Sequence, residues 1–473
     1  MALSLREKIC YGLGDAGCNL VFTTILSFMM FFYTDIFKIP AAQVGLLFLF
    51  SRVLDGFFDF SMGAIADRTR SRFGSFRPYI LWMALPFTIF FILAFSTPDL
   101  SERGRIIYAW ITYNALMIAY TAINIPYSAL SGVMTDDPKE RNDLASFRIA
   151  LSQVGALIIN GCTLPLVNFF ANGDLAQGYQ MAVIIFATLA FVMFMVTFLN
   201  TRERIAPLPQ QKSTIVQDVL LLFKSGPWCV MTFASIFMFV ALILRIGSVL
   251  YYFKYVVTPD AIQNNSILAA LGWSGWDGNG LATLFMAGGS IAGILGGASA
   301  SFFAQHVGKL NSFIFSLLLS CVVMVLFYFT PVTRLELLFL EHLVVTGITF
   351  VAAALYFSML ADVADYGEWK FEVRMTGLIF ASGTCSAKIG MGIGGALSGW
   401  LLGYFGYVAN QVQTAQAAHG ITMMLSIFPA LILLCIAALL FFTYKLDAAM
   451  LAQIKQGLQQ RRQASSSEVS HTV

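Results

Sequence analysis

Six ionisable side chains fall inside long apolar stretches of this sequence: Asp15, Arg52, Asp55, Asp59, Arg245 and Lys388. Charge is expensive in hydrocarbon, and such groups usually face a cavity and mark a path for ions or substrates. Asp55 and Asp59 stand in SRVLDGFFDF, with Arg52 one turn before Asp55. The i, i+4 spacing puts both carboxylates on one helix face. One carboxylate balances Arg52, which leaves the other over. It can hold Na⁺, a hard cation suited to oxygen, or a proton where burial raises its pKa. The alternative is an Arg–Asp pair that only holds helices together. Asp15 and Asn19 repeat the spacing in YGLGDAGCNL. Asn124 stands in AYTAINIPYSAL beside Tyr120, Thr121, Tyr127 and Ser128. Amides, hydroxyls and ring faces in one stripe suit a sugar. The same residue types also serve interhelical hydrogen bonding. Arg245 in VALILRIGSVLYY and Lys388 in SGTCSAKIGMG are too deep in apolar sequence to reach water. Each needs an acceptor, and Asp55, Asp59 or a bound anion can supply it.

The elements that position these groups follow from composition. The chain has 473 residues, of which 11% are charged and 58% hydrophobic. Soluble domains carry about 25% charged residues, so a soluble enzyme, a secreted domain and a nucleic-acid binder are excluded. The net charge of +3 is too small to imply a polyanionic partner. A membrane span needs roughly 20 apolar residues, and twelve such runs are present: 10–34, 41–66, 78–97, 107–132, 146–171, 179–200, 228–256, 280–305, 311–330, 335–361, 375–404 and 420–444. Helices are the expected spanning form, because unpaired backbone groups are costly in lipid. The polar stretch 201–226, with Pro207 and Pro209, separates two sets of six. The expected organisation is a bundle at 1–200, a central loop at 201–226, a second bundle at 227–445 and a mobile Gln- and Ser-rich tail at 446–473. Twenty of the 28 Lys and Arg fall on one side and five on the other, which places both termini and the central loop in the cytoplasm. The fold class is an all-α membrane protein of two pseudo-symmetric six-helix bundles, the plan of the major facilitator transporters. The seven cysteines show no metal spacing and read as small core residues.

Two charged motifs look mechanical. Asp67 with Arg68, Arg70 and Arg72 follows the second run. Asp362, Asp365 and Glu368 recur every third residue at the end of the tenth. They are expected to meet Arg141, Arg148 or Arg374 and to close a cytoplasmic gate. Glycine stripes at 289, 293 and 297 and at 390, 394, 395 and 399 favour close helix packing. Gly63 is expected to allow another close approach. The segment 257–279, with Trp273 and Trp276, is long enough to form an outer lid.

With these pieces in place, the chain resembles the glycoside–pentoside–hexuronide:cation symporters, the family of the bacterial melibiose permease, from about residue 4 to 445. The matching pieces are YGLGD at 11–15, YTD at 33–35, and D-x3-G-x3-D followed by G-S-F-R-P over 59–78. Y-T-x-x-N-I-P-Y at 120–127 and D-x-x-D-Y-G-E-W at 362–369 complete the set. The resemblance implies sugar or glycoside uptake coupled to H⁺, Na⁺ or Li⁺ across a bacterial inner membrane, with no cofactor beyond the coupling ion. It places the cation at Asp55 and Asp59, with Thr121 beside them and Lys388 close by. It places sugar recognition on Asn19, Tyr120, Asn124, Ser128 and Arg148. Asp15 and Arg52 are expected to couple charge.

Departures from the family pattern refine this. Asn19 and Asn124 stand where melibiose-type members have aspartates, Cys18 where they have a lysine, and Ser128 and Ala353 where they have tryptophans. Tyr356 or Phe357 is near enough to compensate for the latter. An α-galactoside is therefore not expected. With two anions gone and Arg245 kept, an acidic sugar such as a hexuronide is favoured, bound partly by Arg245 and Lys388. Phe58 replaces an asparagine that supports Na⁺, which favours H⁺. Other readings are an Na⁺-coupled carrier of a neutral glycoside or pentoside, a lipid or lysolipid carrier, and a membrane-embedded enzyme, for which no zincin, nucleophile-elbow or P-loop pattern is present. The expected partners are a small sugar, a monovalent cation and the bilayer, with the monomer as the working unit.

Overall fold

The computed structural model describes residues 3–135, 137–204, 221–265, 277–372, 376–446, 450–454 and 456–460. Their regular structure is helical apart from one bridge between Ser71 and Gly74. The first half comprises α1 (Leu5–Thr24, prolonged by π-helical segments to Ile36), α2 (Ala41–Arg68), α3 (Arg77–Ala94), α4 (Glu102–Met134), α5 (Pro138–Phe170) and α6 (Leu175–Asn200). The second comprises α7 (Gly226–Tyr255), α8 (Gly278–His306), α9 (Lys309–Phe329), α10 (Leu335–Phe371), α11 (Thr376–Tyr404) and α12 (Ala415–Leu425 continued by Ile427–Thr443). Eleven of these rods carry a strongly apolar stretch long enough to cross a membrane. The remaining one, α11, is diluted by Gly, Ser and Thr.

Several helices outrun the apolar runs read from sequence. The fourth starts at Glu102, the fifth at Pro138, and the tenth continues to Phe371. Hydropathy detects only the lipid-facing middle, whereas the helix goes on while its backbone hydrogen bonds can be made. Starts follow local chemistry. Ser4, Ser101, Asp174 and Asp277 accept a backbone N–H in the first turn of α1, α4, α6 and α8. At the start of α3 the Glu203 carboxylate accepts the N–H groups of Ser75, Phe76 and Arg77 at 2.8, 2.8 and 2.9 Å. An anion there satisfies donors that the helix itself leaves open. Gly74 has φ +109°, and a Cβ at that site would lie 2.4 Å from the Glu203 carboxyl carbon, so the G-S-F-R-P piece is shaped by this clamp. The expected central loop and tail lie mostly outside the described residues. Arg204, at the loop's start, pairs with Glu7 at 2.8 Å.

Hereafter the face with loop 69–76 and residues 201–204 is the basic face. The halves meet where α2 crosses α11 and α5 crosses α8. Along α2 and α11, Gly399 packs on Ala41, Gly395 on Phe48 and Gly392 on Arg52. Gly390 and Gly394 instead pack on α7. Between α5 and α8, Asn160 Nδ2 donates to Ser290 Oγ at 2.9 Å, and Asn279 Nδ2 to Asn168 Oδ1 at 3.3 Å. These contacts lie from mid-helix toward the face opposite the basic one. On the basic side, a Cβ at Gly56, Gly63 or Gly132 would meet nothing within 4 Å. The cleft between the halves is therefore open toward the basic face, and the close approach expected at Gly63 is not made here. Gly297 likewise has open space, while Gly289, Gly293 and Gly296 face α10. The packed stripe follows the 3.6-residue turn rather than a strict repeat of four.

Candidate functional site

Two polar clusters lie along the cleft. The first joins α2, α4 and α11. Thr121 Oγ1 stands 2.8 Å from Asp55 Oδ1 and 2.9 Å from Asp59 Oδ1. Arg52 Nη1 donates to Asp55 Oδ2 at 3.2 Å. Lys388 Nζ reaches across from the second half to Asp55 Oδ2 at 3.3 Å and also bonds Asp59 Oδ2. Asp55 is fully buried, whereas the Asp59 side chain remains 23% exposed toward the cleft. Two carboxylates thus face one guanidinium and one ammonium. The i, i+4 spacing brings the acids together, and the small residues of α11 let Lys388 approach them.

The second cluster lies on α1, α4 and α5, closer to the basic face. Arg148 Nε donates to Asp15 Oδ1 at 3.0 Å, and its guanidinium lies 5.3 Å from the centre of the Tyr127 ring. Tyr11 stacks on the same Tyr127 ring at 4.8 Å. The Arg148 side chain stays 31% exposed, so the group that steadies Asp15 also faces the cleft. Asn19 Nδ2 donates to the Asp15 carbonyl at 3.0 Å. Asn124 and Ser128 are half-buried on the neighbouring face of α4. Phe22 links the clusters: it stacks on Tyr120 at 5.6 Å and lies 5.7 Å beneath the Arg52 guanidinium. Thr121, next to Tyr120 on the same helix, bonds the carboxylates. Phe22 and α4 thus touch both clusters.

Arg245 is not brought to Asp55 and Asp59. It is 6% exposed inside the second half. Its Nη1 donates to the Leu425 carbonyl at 2.7 Å, and its Nη2 lies 3.2 Å from His342 Nδ1. It also lies over the Phe327 ring. The physical reason is Pro429. In an unbroken helix the residue at 429 would donate its N–H to the carbonyl of Leu425, but proline has none. The helix breaks at Ser426 (φ −130°, ψ −78°), and Arg245 supplies the missing donor. Arg245→Gln is therefore expected to lower the melting temperature and the membrane abundance of the protein. Pro429→Ala restores a backbone N–H, so the double variant should recover most of the loss. Thermal unfolding of the purified variants checks this. Two additive defects would contradict the pairing.

Three of the expected gate residues, Asp362, Arg148 and Arg141, are engaged within their own halves. Asp362 bonds Lys309 at 2.7 Å within its own half. Arg148 is taken by Asp15, and Arg141 donates to the carbonyls of Thr135 and Gly132 at 2.9 and 3.2 Å. Each of these bonds stays within one half, as fits a cleft open on this side. Asp365 and Glu368 are half-buried on α10, and Arg68 is exposed at the end of α2. The Asp67 side chain and the whole of Arg374 lie outside the described residues. So do residues 266–276 of the expected lid, Trp273 and Trp276 among them; 257–265, with a short helix at Pro259–Gln263, and 277–279 are described.

One cluster was missed by the sequence reading. At the opposite face Asp35 accepts from Lys254 Nζ at 2.8 Å and from the hydroxyls of Tyr255 and Tyr407. Asn410 Nδ2 donates to its backbone carbonyl at 2.6 Å. YTD at 33–35 marked the residue, but donors 219 to 375 positions away leave no local signal.

Comparison with known proteins adds four findings. A family model described as MFS/sugar transport protein matches residues 10–448. The inner membrane symporter YicJ of Escherichia coli K12 is 34% identical, with 99% of each chain covered. The isoprimeverose transporter of Lactiplantibacillus pentosus is also 34% identical, over 95% of this chain and 91% of the relative. Among solved structures, a bacterial homologue of the human lysosomal transporter Spinster, inward-facing and unoccupied, superposes with a TM-score of 0.65. It covers 93% of this chain and 95% of that one at 13% identity, a likeness of fold alone.

Proposed function

The chain belongs to the MFS/sugar transport protein family, in the glycoside–pentoside–hexuronide:cation symporter branch, and from that premise we propose that it imports a neutral glycoside together with a proton. It is a multi-pass membrane sugar symporter and not an enzyme; the proton and the neutral glycoside are the proposed parts. Import also requires that the basic face be cytoplasmic, as the Lys and Arg distribution favours.

The coupling site is assigned to Asp55, Asp59 and Thr121, with Lys388 and Arg52 as resident counterions. The observation that carries the proton is the Thr121 hydroxyl within 2.9 Å of an oxygen on each carboxylate. A hydroxyl has one proton to donate, so it can serve one of them at a time. A proton on either carboxyl donates back to the Thr121 oxygen and resolves the contact. Asp55 Oδ2 is already engaged by Arg52 and Lys388, and Phe58 adds no oxygen. A hard metal cation, which needs several oxygens, is poorly served there.

The sugar is assigned to the face formed by Asn19, Tyr120, Asn124, Ser128 and Arg148. Asp15 and Arg148 cancel, and the other groups are uncharged. No net charge remains to meet an anion. Arg245, on which the acidic-sugar expectation rested, is committed to Leu425. Isoprimeverose, named for a 34%-identical relative, is a neutral disaccharide, and this supports the class. Counterflow in proteoliposomes tests the reading. Neutral pentosides and glycosides should exchange with a preloaded glycoside, while glucuronides and sulfonated sugars compete weakly. A uronide that competes at the same or lower concentration than every neutral sugar would overturn it.

A further inference from the structure

Helix α1 carries an irregularity that neither cluster uses. Between Thr24 and Phe37 its backbone winds as two π-helical segments, Ile25–Met29 and Phe32–Ile36. The second closes with the Phe37 N–H on the Phe32 carbonyl at 2.8 Å, an i to i+5 bond. A π turn holds one residue more than an α turn needs, and such turns are rare and gather at functional sites. These two lie between Asn19 and Phe22 on the cleft side and Asp35 on the other.

Asp35 is where the opposite face is held shut. Its side chain has 0% exposure. Lys254 donates at 2.8 Å, as does the Thr34 hydroxyl, and the hydroxyls of Tyr255 and Tyr407 complete the cradle. Lys254, Tyr255 and Tyr407 all belong to the second half, so the carboxylate ties one half to the other. Thr34 adds a bond to the Tyr251 hydroxyl at 2.7 Å. Beside the π segments lies a small cavity, where Ile25, Leu26 and Met30 face Gly247, Gly395 and Ser398. Two glycines and a serine leave room for the larger side chains to turn.

We propose that α1 is a register switch: trading a π turn for an α turn rotates Asp35 out of its cradle and opens this face, while Asp15 and Asn19 keep their places. An α-helix advances about 100° and about 1.5 Å per residue. Loss of one extra residue from the winding therefore turns all that lies beyond it by roughly 100°. Hydrogen bonds weaken steeply under misalignment much smaller than that, so the latch releases in one step. The exchange gives α1 a regular backbone and costs a buried carboxylate the three donors of the second half. Ligands can drive it only through tighter binding to the open form. The switch concerns the winding of α1 and stands apart from the choice of sugar or cation.

The test is a scan of single cysteines over residues 25–36, with the native cysteines replaced, labelled by a membrane-impermeant maleimide applied from the Asp35 face. The scan is run with and without Asp35→Asn, with membrane abundance as the folding control. Cysteine at Ser27, which is buried against Asn160, the residue that bonds Ser290 across the halves, should label at least about tenfold faster when Asp35 is neutral, since a hydrogen bond to a charged group contributes about 1.5–3 kcal/mol. The reactive positions should fall on a face continuous with residues 15–24 at about 3.6 residues per turn. Tyr407→Phe removes one donor without changing charge and should shift labelling the same way by less. An unchanged rate in both variants would overturn the latch. Reactive positions that keep the present π register would overturn the switch.

Discussion

Asp55→Asn is expected to abolish uphill uptake, with accumulation falling at least about 100-fold while the protein still reaches the membrane. Asp55 is fully buried and accepts from Arg52, Thr121 and Lys388. Neutralising it leaves two fixed cations facing the single carboxylate of Asp59. Breaking a buried pair from one side costs about 3–5 kcal/mol, and each 1.4 kcal/mol is about a factor of ten. A coupling proton would then join a cluster that already carries excess positive charge. Downhill exchange needs no coupling and should survive at a reduced rate. The companion is Lys388→Ala in the same background, which removes the excess cation and should restore part of the exchange rate. Uptake against a gradient in Asp55→Asn at the wild-type level would remove this cluster from the coupling mechanism. Loss of exchange in the single variant that Lys388→Ala leaves unrelieved would show that charge balance is not the cause.

Arg148→Gln is expected to raise KM for the glycoside about tenfold to a hundredfold, with little change in cation dependence. Arg148 holds Asp15 and presents the rest of its fork to the cleft. A hydrogen bond to a charged group contributes about 1.5–3 kcal/mol, and both the sugar contact and the alignment of Asp15 are lost together. The remaining Asp15 would also be a buried carboxylate without its partner. Arg148→Lys keeps the charge but not the planar fork, so it should recover the fold and only part of the affinity. Initial-rate uptake across a range of sugar concentrations reads both effects. An unchanged KM in Arg148→Gln would move the sugar away from α5.

Some of this site was legible from spacing alone. Asp55 and Asp59, four apart in an apolar run, have to share a face of α2, and Asp15 with Asn19 likewise on α1. That Lys388 needs an acid from the facing half also follows from its depth in apolar sequence, and the structure joins it to both. The twelve helices were readable because lipid imposes one length on each of them. Arg245 was not readable, because its partner is a carbonyl exposed by a proline 184 positions further on, from Arg245 to Pro429. Hydropathy registers the buried charge but not a missing backbone donor. The latch at Asp35 was hidden for a similar reason. Its ligands are tyrosines and a lysine near helix ends, where such residues are ordinary membrane-interface anchors. The gate charges at Asp362, Asp365 and Glu368 show a different limit. Sequence places them at the end of α10, but which charges they meet depends on whether the cleft is open on that side.

The central claim is that sugar crosses only together with a proton carried by the Asp55–Asp59–Thr121 cluster. Its most direct measurement is proton movement driven by sugar alone. Proteoliposomes are held without a pH gradient, a neutral glycoside is added outside, and external pH is followed with Na⁺ replaced by K⁺. The account predicts external alkalinisation that scales with sugar influx, persists without Na⁺ and disappears in Asp59→Asn. Sugar influx that requires Na⁺ and leaves external pH unchanged would contradict it.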